Sequence, residues 1–254
     1  MLVAVFMPAR RLAEMTYVEV RELLAKGLDT AILPVGTVEP HGPHLPLGTD
    51  CIIPELIAER LAERLNAVIL PTVNYGVTNS LHGYPGSIRV RPDVLENLVY
   101  DILASLSLHG FKIAVILNGH GGNTSALDSA ARRAWLDHRL AVLLVDWWRL
   151  ARERGLTQRI LGKEGGHAAT DETVLVAAAR PELVKRELYS PKEVFLASQG
   201  VQSYPIPGTI LNYSPTEGEV SFDTSRAQEY LDEIVREVGK LYDALRSALE
   251  RMKH

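Results

Sequence analysis

A single cysteine, Cys51, in 254 residues excludes an intramolecular disulfide framework and any cysteine-based zinc module. A metal, if one is bound, must then be held by histidines and carboxylates. Long apolar runs are also missing: none approaches the roughly 20 residues that a membrane-spanning helix needs. The N-terminal MLVAVFMPARR places its arginines after the apolar stretch, the reverse of a secretion signal, so a cytoplasmic protein is expected. Basic clusters are short and the net charge is -4, which leaves no electrostatic footprint for nucleic acid or for an anionic membrane surface. A small soluble molecule is the partner that remains. With 46% apolar and 23% charged residues the chain can bury a large core, and residues 1–254 are expected to form one domain.

What is present is an alternation of helical and extended patterns. Thr16-Tyr17-Val18-Glu19 is a capping box opening a helix that runs to Lys26, with Gly27 placed to close it. Residues 30–35 are a short apolar run bounded by turn signals, hence a buried strand. A helix over Pro54 to Leu65 and a strand over 67–70 follow, then a helix from Pro92 with apolar residues at Leu95, Leu98, Ile102 and Leu106. Strands at 112–117 and 140–145 flank a helix near 125–137. After Trp148 the pattern loosens, resumes as a helix near Glu172 to Ala179, crosses a Gly/Pro/Ser-rich stretch at 198–221, and ends in a long helix with Ser225 and Gln228 as a second capping box. Such alternation predicts a mainly parallel sheet covered by helices on both faces.

In such sheets, ligands bind outside the carboxyl ends of the strands. Two loops qualify. GTVEPHGPHLPLGTD, residues 36–50, holds three glycines, three prolines, two histidines, a glutamate and an aspartate directly after the strand at 30–35. Glu39 and His41 are two apart, so in an extended segment their side chains point the same way. Asn118-Gly-His-Gly-Gly-Asn123 follows the strand at 112–117, and glycines around His120 suit close approach of a metal or substrate. The plainer readings are a rigid connection with solvated charges and a turn whose Asn caps the next helix. A third piece, Gly166-His167-Ala-Ala-Thr-Asp171-Glu172-Thr, puts Glu172 in a first helical turn, with Thr170 or Asp171 as cap, and His167 in the preceding loop. Two histidines, two glutamates and Asp50 form a mixed nitrogen and oxygen set suited to zinc, manganese or iron. They are too many for one closed structural site, which points to a dinuclear centre with a bridging carboxylate.

Taken together, Leu33-Pro-Val-Gly-Thr-Val-Glu-Pro-His-Gly-Pro-His-Leu-Pro-Leu-Gly-Thr-Asp50, Asn118-Gly-His-Gly-Gly-Asn123 and His167-Ala-x-x-x-Glu172-Thr resemble, in order, the creatininase family of metal-dependent amidohydrolases. The resemblance spans roughly residues 10 to 245. It implies a three-layer α/β/α sandwich, two divalent metal ions and a homohexamer. It also implies that Glu39 and His120 bind one metal, that His41 and Glu172 bind the other, that Asp50 bridges both, and that His167 acts as acid and base beside them. The segment Ser80-Leu-His-Gly-Tyr-Pro-Gly-Ser87, with His82 and Ser87, resembles a family stretch near the substrate, against the plainer reading of His82 as a turn histidine. Gly121 and Trp148 complete the expected substrate-binding set, although tryptophans ending a buried strand, as Trp147 and Trp148 would, also read as core. His109 and His138 sit where helix C-termini favour positive charge, His254 is a tail residue, and His44 is a support for the first loop.

Two departures stand out. Creatinine-hydrolysing members carry an aromatic residue and a metal-binding glutamate where this chain has Gly121 and Gly122, which points away from creatinine and leaves Glu172 to complete the second metal. Ala169 and Thr170 replace the Gly-Glu common in the third motif. The expected chemistry is hydrolysis of an amide-type C–N bond by a hydroxide held between two cations, acting on a cyclic amide or a formamide. Peptide cleavage, as in relatives that mature a peptide-derived redox cofactor, and metal or small-molecule binding without catalysis are the alternatives. Residues Arg149 to Lys163 read as a lid or a subunit contact.

Overall fold

The computed structural model describes residues 10–198, 200–217 and 219–252. Residues 1–9, on which the localisation reading rests, and His254 lie outside the described residues. Five parallel strands form the central sheet: β1 (Arg10–Arg11), β2 (Thr30–Val35), β3 (Val68–Ile69), β4 (Ile113–Asn118) and β5 (Ala141–Asp146), in the order β1-β3-β2-β4-β5. Thr30 pairs with Ile113 and Val35 with Asn118, so β2 and β4 end level with each other. Both are buried along their whole length, as continuous apolar runs require when helices cover both faces.

The helices are α1 (Tyr17–Ala25), α2 (Thr49–Leu65), α3 (Pro92–Leu108), α4 (Thr124–His138), α5 (Trp147–Glu153), α6 (Thr170–Ala179) and α7 (Ala227–Arg251). Strand periodicity sorts the core into two halves. Ile32, Val115 and Leu117 pack with Ile57 and Leu61 of α2, Leu175 of α6, and Tyr230 and Ile234 of α7. Ala31, Leu33, Ala114 and Ile116 face the other way, onto Leu95, Val99 and Leu103 of α3 and Leu127 and Ala130 of α4. The result is the three-layer α/β/α architecture. Pro34 stands in an interior strand, where a missing N–H is normally a defect. It is tolerated because its neighbour on that side, β3, has already ended at Ile69; there the Pro34 carbonyl instead accepts from Val73 N at 3.0 Å.

Topology picks out one crevice. From β2 the chain leaves through α2 to β3 on one face, whereas from β4 it leaves through α4 to β5 on the other, in the opposite direction. Adjacent strands whose connections diverge open a gap at their carboxyl ends. The loops carrying Glu39, His41 and His120 flank that gap.

Several local expectations are corrected. The second helix begins at Thr49 and not at Pro54, because the Gly48 carbonyl accepts Cys51 N and Ile52 N at 2.9 and 3.0 Å. Asp50 therefore sits in a first helical turn, and Pro54 leaves the Asp50 carbonyl without its helical donor. Nor does the pattern loosen after Trp148: α5 and a single π-helical turn, Thr157–Leu161, bury Leu150, Ala151, Leu156 and Ile160 in the core beside α7. Residues 149–163 are thus built into the protomer and do not form a free strap. The first capping box forms, with Glu19 N donating to Thr16 Oγ1 and Thr16 N to Glu19 Oε2; the second does not, since α7 begins after Arg226 with no side-chain cap. Two short parallel strands, β6 (Val194–Leu196) and β7 (Ile210–Asn212), organise part of the Gly/Pro/Ser-rich region. His109 caps α3 and His138 ends α4. Among the described residues no helix is long and apolar enough to cross a membrane.

Candidate metal centre

Six side chains from three distant stretches converge at the strand ends. Glu39, Asp50 and His120 form one group, and His41, Asp50 and Glu172 a second, with the donor atoms of each group within 4.8 Å of one another. Asp50 belongs to both. His120 Nδ1 lies 3.2 Å from Glu39 Oε1 and 3.0 Å from Asp50 Oδ2, while His41 Nε2 lies 2.9 Å from Asp50 Oδ1 and 3.8 Å from Glu172 Oε2. A third grouping joins Glu39, His41 and His167, the last with Nδ1 3.9 Å from Glu39 Oε1 and its ring 4.3 Å from that of His41.

Each imidazole is anchored through its far nitrogen to a backbone carbonyl. His41 Nδ1 faces Glu39 O at 3.1 Å, His120 Nε2 faces Val77 O at 3.0 Å, and His167 Nε2 faces Pro40 O at 2.8 Å. A carbonyl can only accept, so each far nitrogen carries the proton and the near nitrogen turns a lone pair toward the carboxylates. Lone pairs facing anions need a proton or a cation between them. Asp50 Oδ2, moreover, is buried and has no hydrogen bond when His120 Nδ1, 3.0 Å away, carries no proton. The donor set and this unsatisfied oxygen fit divalent cations, and carbonyl-anchored imidazoles are the usual support of metal-binding histidines.

The electrostatics agree in the metal-free state. Burial disfavours a charged His41, but Asp50 and Glu172 outweigh it and raise its pKa to about 10. His120 is likewise pulled well above its ordinary value, against burial, by Glu39 and Asp50. The same ion pairs hold Asp50 below the usual carboxylate range despite its burial. Burial and the nearby positive charge of His41 lower His167 to about 4, so it is neutral at physiological pH.

Local structure positions these groups. Asp50 and Glu172 occupy first turns of α2 and α6, where the helix dipole favours negative charge. Ala168 adopts a left-handed φ of 53°, uncommon for a residue with a Cβ, and its N–H donates to Glu172 Oε2 at 2.6 Å. Neither Thr170 nor Asp171 caps α6; the Thr170 N–H instead donates to Glu217 Oε1 at 2.8 Å. His44 Nε2 lies 3.0 Å from Thr173 Oγ1, tying the first loop to α6. Asn123 makes no cap either: it accepts from Val77 N and donates to Gly36 O. The glycines of the central motif differ in purpose. A Cβ at Gly119 would meet the Asp50 carbonyl at 2.0 Å and one at Gly122 the Val77 carbonyl at 2.1 Å, so both exist for backbone packing.

A cavity of about 320 Å³ opens over this floor, walled by Gly121, Trp148, Arg149, Tyr204, Leu211 and Tyr213 among others. Trp147 is fully buried in the core and Trp148 faces the cavity, so the two adjacent tryptophans divide the two readings between them. His82 is exposed on its turn and Ser87 donates to the Leu81 carbonyl; neither lines the cavity. The sequence carries no sign of Tyr204, Tyr213 or Glu217 at the site, and it presents Arg149 only as the start of a lid or subunit contact and Asp171 only as a helix cap, not as a member of the buried pair Asp171 and Glu217. Asp171 is raised to about 7 by burial and by the Glu217 carboxylate. Only the run of two acids at 171–172 hinted at this pair.

Fold and site together define the class: a three-layer α/β/α protein with a buried carboxylate and imidazole cluster of the metal-binding kind at a topological switch point. The sequence model of the creatininase family, described as creatinine amidohydrolase, matches residues 13–240. The chain belongs to the creatininase family, whose members named below are hydrolases. It is 27% identical over 221 residues to creatinine amidohydrolase of Pseudomonas putida, covering 78% of this chain and 84% of that one. It is 39% identical over 105 residues to the mycofactocin precursor peptide peptidase of Mycolicibacterium smegmatis, 39% of this chain and 42% of the relative. A crystal structure of creatinine amidohydrolase superposes with a TM-score of 0.76 at 24% identity, covering 94% and 98% of the two chains, which bears on the fold alone.

Proposed function

We propose that the protein is a metal-dependent hydrolase that cleaves an amide-type C–N bond in a small molecule, a cyclic amide or a formamide. Glu39, Asp50 and His120 would hold one divalent cation and His41, Asp50 and Glu172 a second, with zinc, manganese and iron all suited to the set. Asp50 carries this reading, since its two oxygens face the two clusters from a buried position. Bound ions supply an acidified water and a Lewis acid for the carbonyl oxygen. The chain's own residues do the rest. His167, neutral and with its Nδ1 lone pair turned into the cavity, takes a proton from the attacking water and returns it to the departing nitrogen. Pro40 O keeps the ring in the tautomer this needs.

Metal content by plasma mass spectrometry, together with turnover of a formamide and cyclic-amide panel, tests the proposal. His167→Ala is expected to keep its metal and lose about 10²- to 10⁴-fold in kcat; full turnover in that variant removes the role assigned to His167. The similarity to a peptide peptidase supports a second reading, peptide cleavage at the same centre. Release of free amino acids from short peptides, with the formamides left intact, would select it. The homohexamer implied by the family resemblance belongs to the same proposal, and sedimentation analysis counts the copies.

A further inference from the structure

We infer that the molecule bound in this cavity carries an anionic group, a carboxylate or a phosphate, and that Arg149 is the specificity residue that receives it. The inference rests on the hydrolase reading in placing the substrate over the carboxylate and imidazole floor.

Among the described residues lining the cavity, Arg149 is the one lysine or arginine. Its guanidinium makes one ion pair there, Nη1 to Asp146 Oδ2 at 3.1 Å, with its carbon 5.9 Å from the centroid of the Trp148 ring, and is 60% exposed, whereas the Asp146 side chain is 10% exposed. Asp146 is itself fixed: Asn118 Nδ2 donates to it at 2.7 Å, and the Thr124 hydroxyl approaches both its oxygens, at 3.1 and 3.0 Å. Asn118 in turn donates to the His120 carbonyl and accepts from the His120 N–H. One hydrogen-bonded bridge therefore sets the position of Arg149 relative to His120. The other guanidinium N–H groups have no acceptor among the described residues, and a planar fork with open donors suits a carboxylate or phosphate.

Gly121 supplies the room. Its φ is not left-handed, and a Cβ there would touch only Trp148 Cζ2, at an ordinary 3.7 Å. Neither backbone conformation nor packing asks for glycine at this position, in contrast to Gly119 and Gly122. Any larger side chain would extend into the cavity beside Trp148 and Arg149 and occupy the space a ligand needs.

The test is a set of matched probes bound to the manganese-loaded protein by calorimetry: N-formylglycine against N-formylglycinamide, and N-formylethanolamine phosphate against N-formylethanolamine. One anionic probe of the two, at least, is expected to bind more tightly than its neutral twin, and which one does so distinguishes carboxylate from phosphate. Arg149→Gln should weaken that probe by about tenfold or more, the scale of a lost charge-assisted pair. Arg149→Lys should fall between, and the neutral twins should bind all three proteins alike. Anionic binding undiminished in Arg149→Gln overturns the inference, as does equal weakening of both twins. Turnover of the same four compounds is read separately. Arg149-dependent binding without hydrolysis discards the hydrolase reading and keeps the anion site, and hydrolysis indifferent to Arg149 does the reverse.

Discussion

The two helical layers over the sheet are built from the same kind of amphipathic segment, yet only one of them carries chemistry. α3 and α4 bury Leu95, Val99, Leu103 and Leu106, and Ala126, Leu127, Ala130 and Ala134, with no buried polar side chain in either helix. α2 and α6 enter the core polar end first: their buried residues begin Thr49-Asp50-Cys51 and Thr170-Asp171-Glu172-Thr173 and turn apolar only afterwards. Buried carboxylates are costly unless something compensates them. Asp50 is compensated by a helix N-terminus behind it and by histidines in front, whereas burial still drives Glu172 well above its ordinary range in the metal-free protein. The fold confines that arrangement to the strand ends, so that the layer of α3 and α4 is apolar throughout, while α2 and α6 are charged at their N-terminal ends and apolar beyond them.

Removing the group shared by both clusters should have the largest effect. Asp50→Asn is expected to lose both metals and about a thousandfold or more of kcat, since the nucleophile depends on them. Metal-to-protein ratio and turnover, measured on the same preparation, check this; retention of both metals would show that Asp50 is not shared. Leu103→Ala, in the other layer, should do the opposite. It leaves a cavity in a fully buried helix face and is expected to cost about 2–5 kcal/mol in urea unfolding, with metal content and kcat of the folded protein unchanged. If Leu103→Ala also strips the metal, the two layers are coupled and the contrast between them fails.

The apolar layer was the easier half to read. The strand at 30–35, the helix from Pro92 and the sheet class follow from periodicity, which reports burial directly. The ligand types were also legible, because Glu39, His41 and His120 fall in loops directly after strands. Asp50 reads as loop in the sequence, since Pro54 looks like a first helical residue and the Gly48 carbonyl that starts α2 has no side chain to announce it. Longer-range partners had no local signal at all. Glu217 serves the N-terminus of α6 from 47 residues away, and Arg149 gains its place only because Asp146 ends the strand beside Asn118. Contacts made across the fold, unlike periodicity, leave no mark in a window of neighbouring residues.

A pH titration sharpens the contrast from the charged side. In the metal-free protein burial opposes a charged His41, but Asp50 and Glu172 prevail and raise it from 6.5 to about 10. A raised folded-state pKa means that this stabilisation is fully present below about pH 6.5 and is lost as pH climbs toward 10. Chelator-treated protein should therefore lose Tm over that interval, whereas the loaded protein, in which a cation takes the proton's place, should lose little. Metal affinity should rise across the same interval because ions and protons compete for one lone pair. A Tm of the chelated protein that is flat from pH 6.5 to 10 would remove His41 from this role.

The smallest effects separate two sites with the same sequence pattern. Thr16-x-x-Glu19 and Ser225-x-x-Gln228 both read as capping boxes, but only the first makes the reciprocal bonds. Thr16→Ala should cost about 1 kcal/mol, the usual loss of an N-cap oxygen. Ser225→Ala should stay within about 0.5 kcal/mol of the parent, as for surface changes without a structural partner. The reason is tertiary. Arg226 reaches across to the Ile160 carbonyl at 2.8 Å and pairs with Glu229, Ser225 N is already engaged by Asp223, and Gln228 turns forward to Asp232. Those contacts start α7 one residue later than the local pattern asks. Equal losses from the two alanine substitutions in urea would mean that Ser225 caps α7 in solution, and that local propensity had prevailed over the Arg226 anchor.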